Sequence, residues 1–228
     1  MVIAQVSKTT AFTFSSGDRV LDAKLNVFAL PQGAWLSVLQ SAMHFHWAWR
    51  YSTKMKMDLS YSPTTVFETF PFPACLRPGH PLDASEESLR ALLEEAGKAY
   101  SEERSELMRL LNLGLTKMYN LFHDPALDEP KLARTIAKSG GKGAPADLLA
   151  RIARLRELHA AMDGAVLRAY GWTDIEPAHA FRDLEFLPET DRTRFTISEA
   201  ARRAVLERLL ELNFRRHEEE VTRGHTLM

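Results

Sequence analysis

The chain has 228 residues, 45% hydrophobic and 26% charged, with a net charge of −1 and one cysteine. That length buries a core without staples, and a lone Cys75 excludes an internal disulfide and any multi-cysteine zinc or iron–sulfur site. Near-neutral charge gives no global pull toward nucleic acid, no apolar run is long enough to cross a bilayer, and the start MVIAQVSKTT lacks a signal-peptide layout, so a reducing, cytoplasmic setting away from membranes is expected.

The first thirty residues predict strands. VIAQVSKTTAFTF is rich in β-branched and aromatic residues, and from Leu21 to Ala29 the odd positions are apolar while Asp22, Lys24 and Asn26 are polar. Ser15-Ser16-Gly17-Asp18 between them predicts a hairpin turn. After Pro31-Gln32-Gly33, a helix is expected from Ala34 to about Trp49, with Trp35, Val38, Leu39, Ala42 and Phe45 or His46 on one face. Residues 51–80 contain Tyr61-Ser62-Pro63 and Phe70-Pro71-Phe72-Pro73, which cannot be helix interior. They predict an ordered, aromatic connector laid across the surface.

The remainder predicts helices. Asp83-x-x-Glu86 has the form of a capping box, followed by a long stripe from Leu89 to Leu111 that ends at Gly114. Leu115 to Phe122 makes a shorter helix stopped at Asp124-Pro125, and Ser139-Gly140-Gly141-Lys142-Gly143 is expected to be a flexible linker. Pro145 opens a helix closed at Gly171, and Thr196-x-x-Glu199 opens the last one, with Ala201, Val205, Leu209 and Leu212 as its buried stripe. The expected fold class is α+β, mainly α: a small β-rich N-terminal piece (a hairpin) followed by a helical domain. The boundaries are 1–80 for the first part and 81–228 for the second, with the linker near 138–145.

Several sites are excluded by their chemistry. In Gly140-Gly141-Lys142-Gly143 the lysine is followed by glycine, so the hydroxyl that should hold magnesium in a phosphate loop is missing. No G-x-S-x-G and no H-E-x-x-H occurs. His44 and His46, two apart on a helix, cannot share one ion, and four aromatic neighbours argue for packing. His159, with Asp163 one turn later, is expected to be a core histidine tied to a carboxylate, and Cys75 between prolines has no histidine to activate it. No catalytic, cofactor-binding or metal-ligating residue is assigned.

The informative segment is Arg50 to Thr69. Residues 1–80 hold seven Lys and Arg against four acids, net +3, which leaves −4 for the rest. Within the segment, Arg50, Lys54 and Lys56 supply cations, Ser62 and Thr64 are among the hydroxyls, and Tyr51 and Tyr61 supply flat apolar faces. A basic, hydroxyl-rich loop on a rigid base suits phosphate contacts, although composition alone describes no more than a solvated loop.

The stretch WLSVLQSAMHFHWAWRYSTKMKMDLSYSPTTVFETFPFP resembles the end of the target-recognition region in type IIG-like restriction–modification enzymes and related phage-defence adenine methylases. The nearest echo is Tyr61 to Pro73. Downstream segments agree in order and spacing: Gly114 to Asn120, Phe122-His123-Asp124-Pro125, Leu155 to His159, Met162-Asp163, Tyr170-Gly171-Trp172, Arg194 to Glu199, and the Leu-Leu-Glu-Leu-Asn run at 209–213. The resemblance covers nearly the whole chain.

It implies a parent enzyme that transfers a methyl group from S-adenosylmethionine to adenine N6 in a short double-stranded DNA site. The glycine-rich cofactor motif and the N-P-P-Y-type motif of that core are both missing from this sequence, and its opening resembles the middle of a recognition region. The chain is therefore expected to be a DNA target-recognition and scaffold fragment without catalytic core or cofactor of its own. Its partners would be double-stranded DNA and an upstream methyltransferase polypeptide. Arg50, Lys54 and Lys56 are the expected phosphate contacts, with Tyr61, Ser62 and Thr64 close to the groove. A stand-alone specificity subunit acting in trans and a non-functional helical remnant of a split gene are the alternatives.

Overall fold

Strands of two or three residues build the front of the molecule, which a computed structural model describes over residues 1–55, 58–222 and 224. Strand β1 (Val2–Ala4) pairs antiparallel with β3 (Leu25–Val27), Val2 opposite Val27. The expected hairpin does not form at Ser15–Asp18; instead Val2 also bridges Thr13, and the intervening chain loops outside the sheet. The phase of the alternation is inverted as well. Val27 is 61% exposed while Phe28 is buried, because sinking a phenyl ring removes more apolar area from water than sinking a valine. Asn26 faces inward at no loss, its amide donating to the Tyr61 carbonyl at 3.0 Å.

Strand β2 (Val6–Ser7) pairs with β5 (Asp58–Ser60), which pairs with β4 (Thr53–Met55) in the order β2-β5-β4. The connector over 51–80 thus supplies two strands, and it runs through the core instead of over the surface: Tyr61, Val66, Phe70, Cys75 and Leu76 are all buried. Its prolines sit where turns begin. Pro63 opens a π-helical turn (Pro63–Phe67) whose cap is Ser62, the hydroxyl accepting from the Thr65 amide at 3.3 Å.

The helix expected over 34–49 is two helices, α1 (Gly33–Gln40) and α2 (Ala42–Tyr51). Ser41 separates them in an extended conformation; its hydroxyl donates to the Val38 carbonyl at 2.7 Å and accepts from the His44 amide at 3.3 Å. One serine thereby ends the first helix and caps the second. The predicted capping box of α3 (Ala84–Leu111) is present, with Asp83 and Glu86 bonded reciprocally. Its C-terminus is the left-handed Asn112 and not Gly114. Against α1 the backbones touch: a Cβ on Gly97 would lie 2.1 Å from the Gly33 oxygen.

Helices α4 (Leu115–Phe122), α5 (Glu129–Ser139) and α6 (Pro145–Ala169) follow, α5 being absent from the sequence reading. The glycine segment between α5 and α6 is a packed turn and not a flexible linker. The Lys142 amide donates to the Leu110 carbonyl at 2.7 Å, and a Cβ on Gly141 would be 2.9 Å from the oxygens of Leu110 and Leu111. A second unpredicted element is the antiparallel pair β6 (Ala180–Asp183) and β7 (Thr193–Thr196). Thr196 therefore lies in a strand, and Ser198 starts α7 (Glu199–Thr222), its hydroxyl accepting from the Ala201 amide at 3.1 Å.

The α+β, mainly α architecture holds together across residue 80. One core joins Phe12, Trp47, Val66 and Phe70 to Leu93, Val166, Ile197 and Leu209; a second gathers Tyr100, Leu107, Phe122, Ile152 and Met162.

Candidate nucleic-acid interface

Helix α2 divides its residues by face. His44, His46 and Trp47 are buried, whereas Arg50 in the last turn is exposed, where a cation is favoured by the helix dipole. Ser52 turns the chain into β4, whose Thr53, Lys54 and Met55 are all exposed. Strand β4 lies at the edge of its sheet, a place where lysine discourages pairing with a stray strand. Neither Arg50 nor Lys54 forms an ion pair among the described residues. Lys54 Nζ lies 5.9 Å from the centroid of the Trp49 ring. Lys56 lies outside the described residues.

Ser62 is half-buried and Thr64 exposed, and their hydroxyls meet at 3.1 Å. Ser62 is thus engaged in capping, while Thr64 keeps an open face. Tyr61 does not join them. It is 2% exposed, its ring stands edge-on to Phe12 and Phe28, and its hydroxyl reaches His44 Nε2 at 3.0 Å. Burial pushes its phenol far up. The expected groove contact is a core residue.

His44 is fixed from both sides. Nδ1 donates to the Leu39 carbonyl at 2.9 Å, so Nε2 accepts from the Tyr61 hydroxyl. Burial lowers His44 to about 3 and His46 to about 3, and the nearest partner of His46 is Thr196 Oγ1 at 3.4 Å. The two rings serve different partners, as packing residues do. The predicted His159–Asp163 pair exists, at 3.6 Å, within a larger node. Asp163 Oδ2 takes a closer contact from His179 at 2.8 Å, and Oδ1 accepts the Ala42 amide at 2.9 Å. Burial raises this carboxyl, but the two histidines and the amide hold it below its usual range. Arg104, 1% exposed, ties α3 to the front of the chain by donating to the Phe12 carbonyl at 2.6 Å and the Tyr119 hydroxyl at 2.8 Å. Cys75 is buried, and burial raises its thiol.

Arg50 and Lys54 border an open cleft of about 760 Å³ whose far wall is the start of α7. There Arg202 and Arg203 meet Glu199 at 2.6 and 2.7 Å, and their hydrogen bonds lower its carboxyl to about 2. Phe186 completes the wall. Sequence reasoning missed this side altogether, since nothing in the Thr196–Glu199 pattern places α7 beside β4. Among the described residues no group of three or more His, Cys, Asp or Glu could hold a metal ion, and no helix is long and apolar enough to cross a membrane.

No curated protein and no solved structure matches the chain. Residues 7–74, which contain Arg50, Lys54, Ser62 and Thr64, match the family model described as MmeI, target recognition domain, and the chain therefore carries a target-recognition segment similar to that of MmeI.

Proposed function

We propose that this chain is the DNA target-recognition and scaffold part of a type IIG-like adenine-N6 methyltransferase system, in restriction–modification or phage defence. The observation that carries the reading is the match over residues 7–74 to a target recognition domain, on a segment whose exposed end presents Arg50 and Lys54 without ion-pair partners among the described residues. Arg50, Lys54 and, by its sequence position, Lys56 hold backbone phosphates, with Thr64 close to the groove. These contacts position the duplex without reading its sequence. The helices pack on a methyltransferase polypeptide that supplies S-adenosylmethionine binding and the chemistry, because the two motifs of that core are missing from this sequence.

Fluorescence anisotropy with a short duplex over a salt series tests the reading. Replacing Arg50, Lys54 and Lys56 together by Ala should lower the slope of log affinity against log salt by about 3, since each phosphate contact contributes roughly 0.9. An unchanged slope refutes the assignment. Incubation of the chain alone with labelled S-adenosylmethionine and mixed DNA should give no incorporation, and methyl transfer above background would show that the chemistry resides here.

A further inference from the structure

The cleft between β4 and α7 contains more chemistry than phosphate positioning needs. Eight buried side-chain polar atoms among the described residues lack a hydrogen-bond partner, and three of them belong to residues lining this cleft: His46 Nδ1, Trp49 Nε1 and Ser52 Oγ. His46 is 2% exposed and Trp49 6%. A buried indole N–H without an acceptor is costly unless a ligand supplies one. Around these atoms stand an aromatic wall and four cations. The Phe186 ring is half-buried, 6.1 Å from that of Trp49, with the Arg202 guanidinium 5.8 Å from its centroid. Arg50, Lys54, Arg202 and Arg203 line the rim, against Asp183, Glu185 and Glu199.

We propose that this cleft is a nucleotide subsite: one phosphate is held by Lys54 and Arg203, and its base lies along Phe186 with a ring acceptor on Trp49 Nε1–H. The near-balance of charge argues for one nucleotide instead of a long backbone track, which would call for a continuous run of cations. A planar heterocycle with acceptors and donors on its edge matches the mixture of orphaned N–H, hydroxyl and imidazole nitrogen better than an aliphatic anion does. The inference extends the DNA-binding reading to residues 186, 202 and 203, outside the matched segment. The same chemistry is offered by a nucleotide of a DNA strand and by a free mononucleotide.

Calorimetry on the full chain with deoxyadenosine monophosphate, deoxyadenosine and a single-stranded oligonucleotide tests it, beside duplex binding as the control. The monophosphate or the oligonucleotide should bind, and deoxyadenosine about tenfold more weakly or not at all, since one charge-assisted contact is worth about that factor. Binding of the oligonucleotide alone identifies a DNA strand as the source; binding of both shows that a free mononucleotide suffices as ligand. Arg203→Ala, at an exposed side chain, should weaken binding about tenfold, and Trp49→Phe, which keeps a ring but removes the N–H, about fivefold. No binding of either probe, or binding untouched by both substitutions, overturns the subsite. Duplex binding that survives these substitutions but fails with Arg50→Ala and Lys54→Ala would then leave the DNA-recognition reading standing without it.

Discussion

His44 and Arg50 belong to the same helix and meet opposite fates. His44 is enclosed, neutral and bonded on both ring nitrogens, Nδ1 to Leu39 and Nε2 to Tyr61. Arg50 faces water with no ion-pair partner among the described residues. The same contrast separates two regions of the molecule. Beneath α2, Asp163 gathers His159, His179 and the Ala42 amide, leaving His159 Nδ1 without a partner, and Arg104 separately bonds the Phe12 carbonyl and the Tyr119 hydroxyl. At the end of α2, cations on Arg50 and β4 are left uncommitted. Buried polar groups bonded across distant elements help to hold a fold in one arrangement, whereas uncommitted surface charge contributes little to stability and is available to an anionic partner.

The sharpest way to break this contrast is Asp163→Ala. It leaves the Ala42 amide and two histidines without their acceptor, and urea denaturation should show a loss of about 3–5 kcal/mol. Asp163→Asn, which retains an oxygen for the amide, should lose less. Acid comes next. His44 and His46 have folded-state values of about 3 against an ordinary 6.5, so the unfolded chain takes up protons first as pH falls. Their contribution is intact above about pH 6.5 and declines toward pH 3; at pH 5 it should have fallen by about 2 kcal/mol per histidine. Urea midpoints that do not move between pH 7 and 5 would contradict the buried, neutral assignment. Gly97→Ala forces a methyl against the Gly33 carbonyl and should cost about 1–3 kcal/mol by thermal melting. Arg50→Ala with Lys54→Ala should change stability by less than about 0.5 kcal/mol, the smallest effect. A large loss there would mean that these cations are structural and that the two regions do not differ as described.

How much of this was legible in the sequence depends on the range of the interaction. Local signals carried through: the Asp83–Glu86 capping box, Pro145 at a helix start, Gly171 after its end, and the pairing of His159 with Asp163 one turn away all appear in the structure. Long-range ones did not. The period-two pattern of Leu21–Ala29 was real, but Phe28 overruled its phase, and Val2 found Leu25–Val27 through contacts that no nearby residue announces. Tyr61 looked like a surface aromatic beside a basic loop until His44, from another element, took its hydroxyl. The glycines at 140, 141 and 143 suggested freedom, whereas close approach to the end of α3 is what requires Gly141, and a positive φ favours glycine at 140 and 143. For the candidate interface, Arg50, Lys54 and Thr64 are exposed as their loop composition suggested. The opposite wall could not be foreseen, because the β6–β7 hairpin brings it there.

The hydrogen bonds that cross residue 80 decide whether the matched segment can be exchanged as a unit. Tyr170 donates to the Pro71 carbonyl at 3.0 Å, Asn213 to that of Thr69 at 2.6 Å, and Arg104 to that of Phe12. A graft of residues 7–74 alone would carry the acceptors away from their donors and strip apolar cover from α3, α6 and α7. Such a chimera should be recovered mainly as aggregate, while one that transfers the facing helix positions as well should fold. A stable exchange of this segment therefore has to carry the helix positions that face it, so the matched segment is not a self-contained cassette.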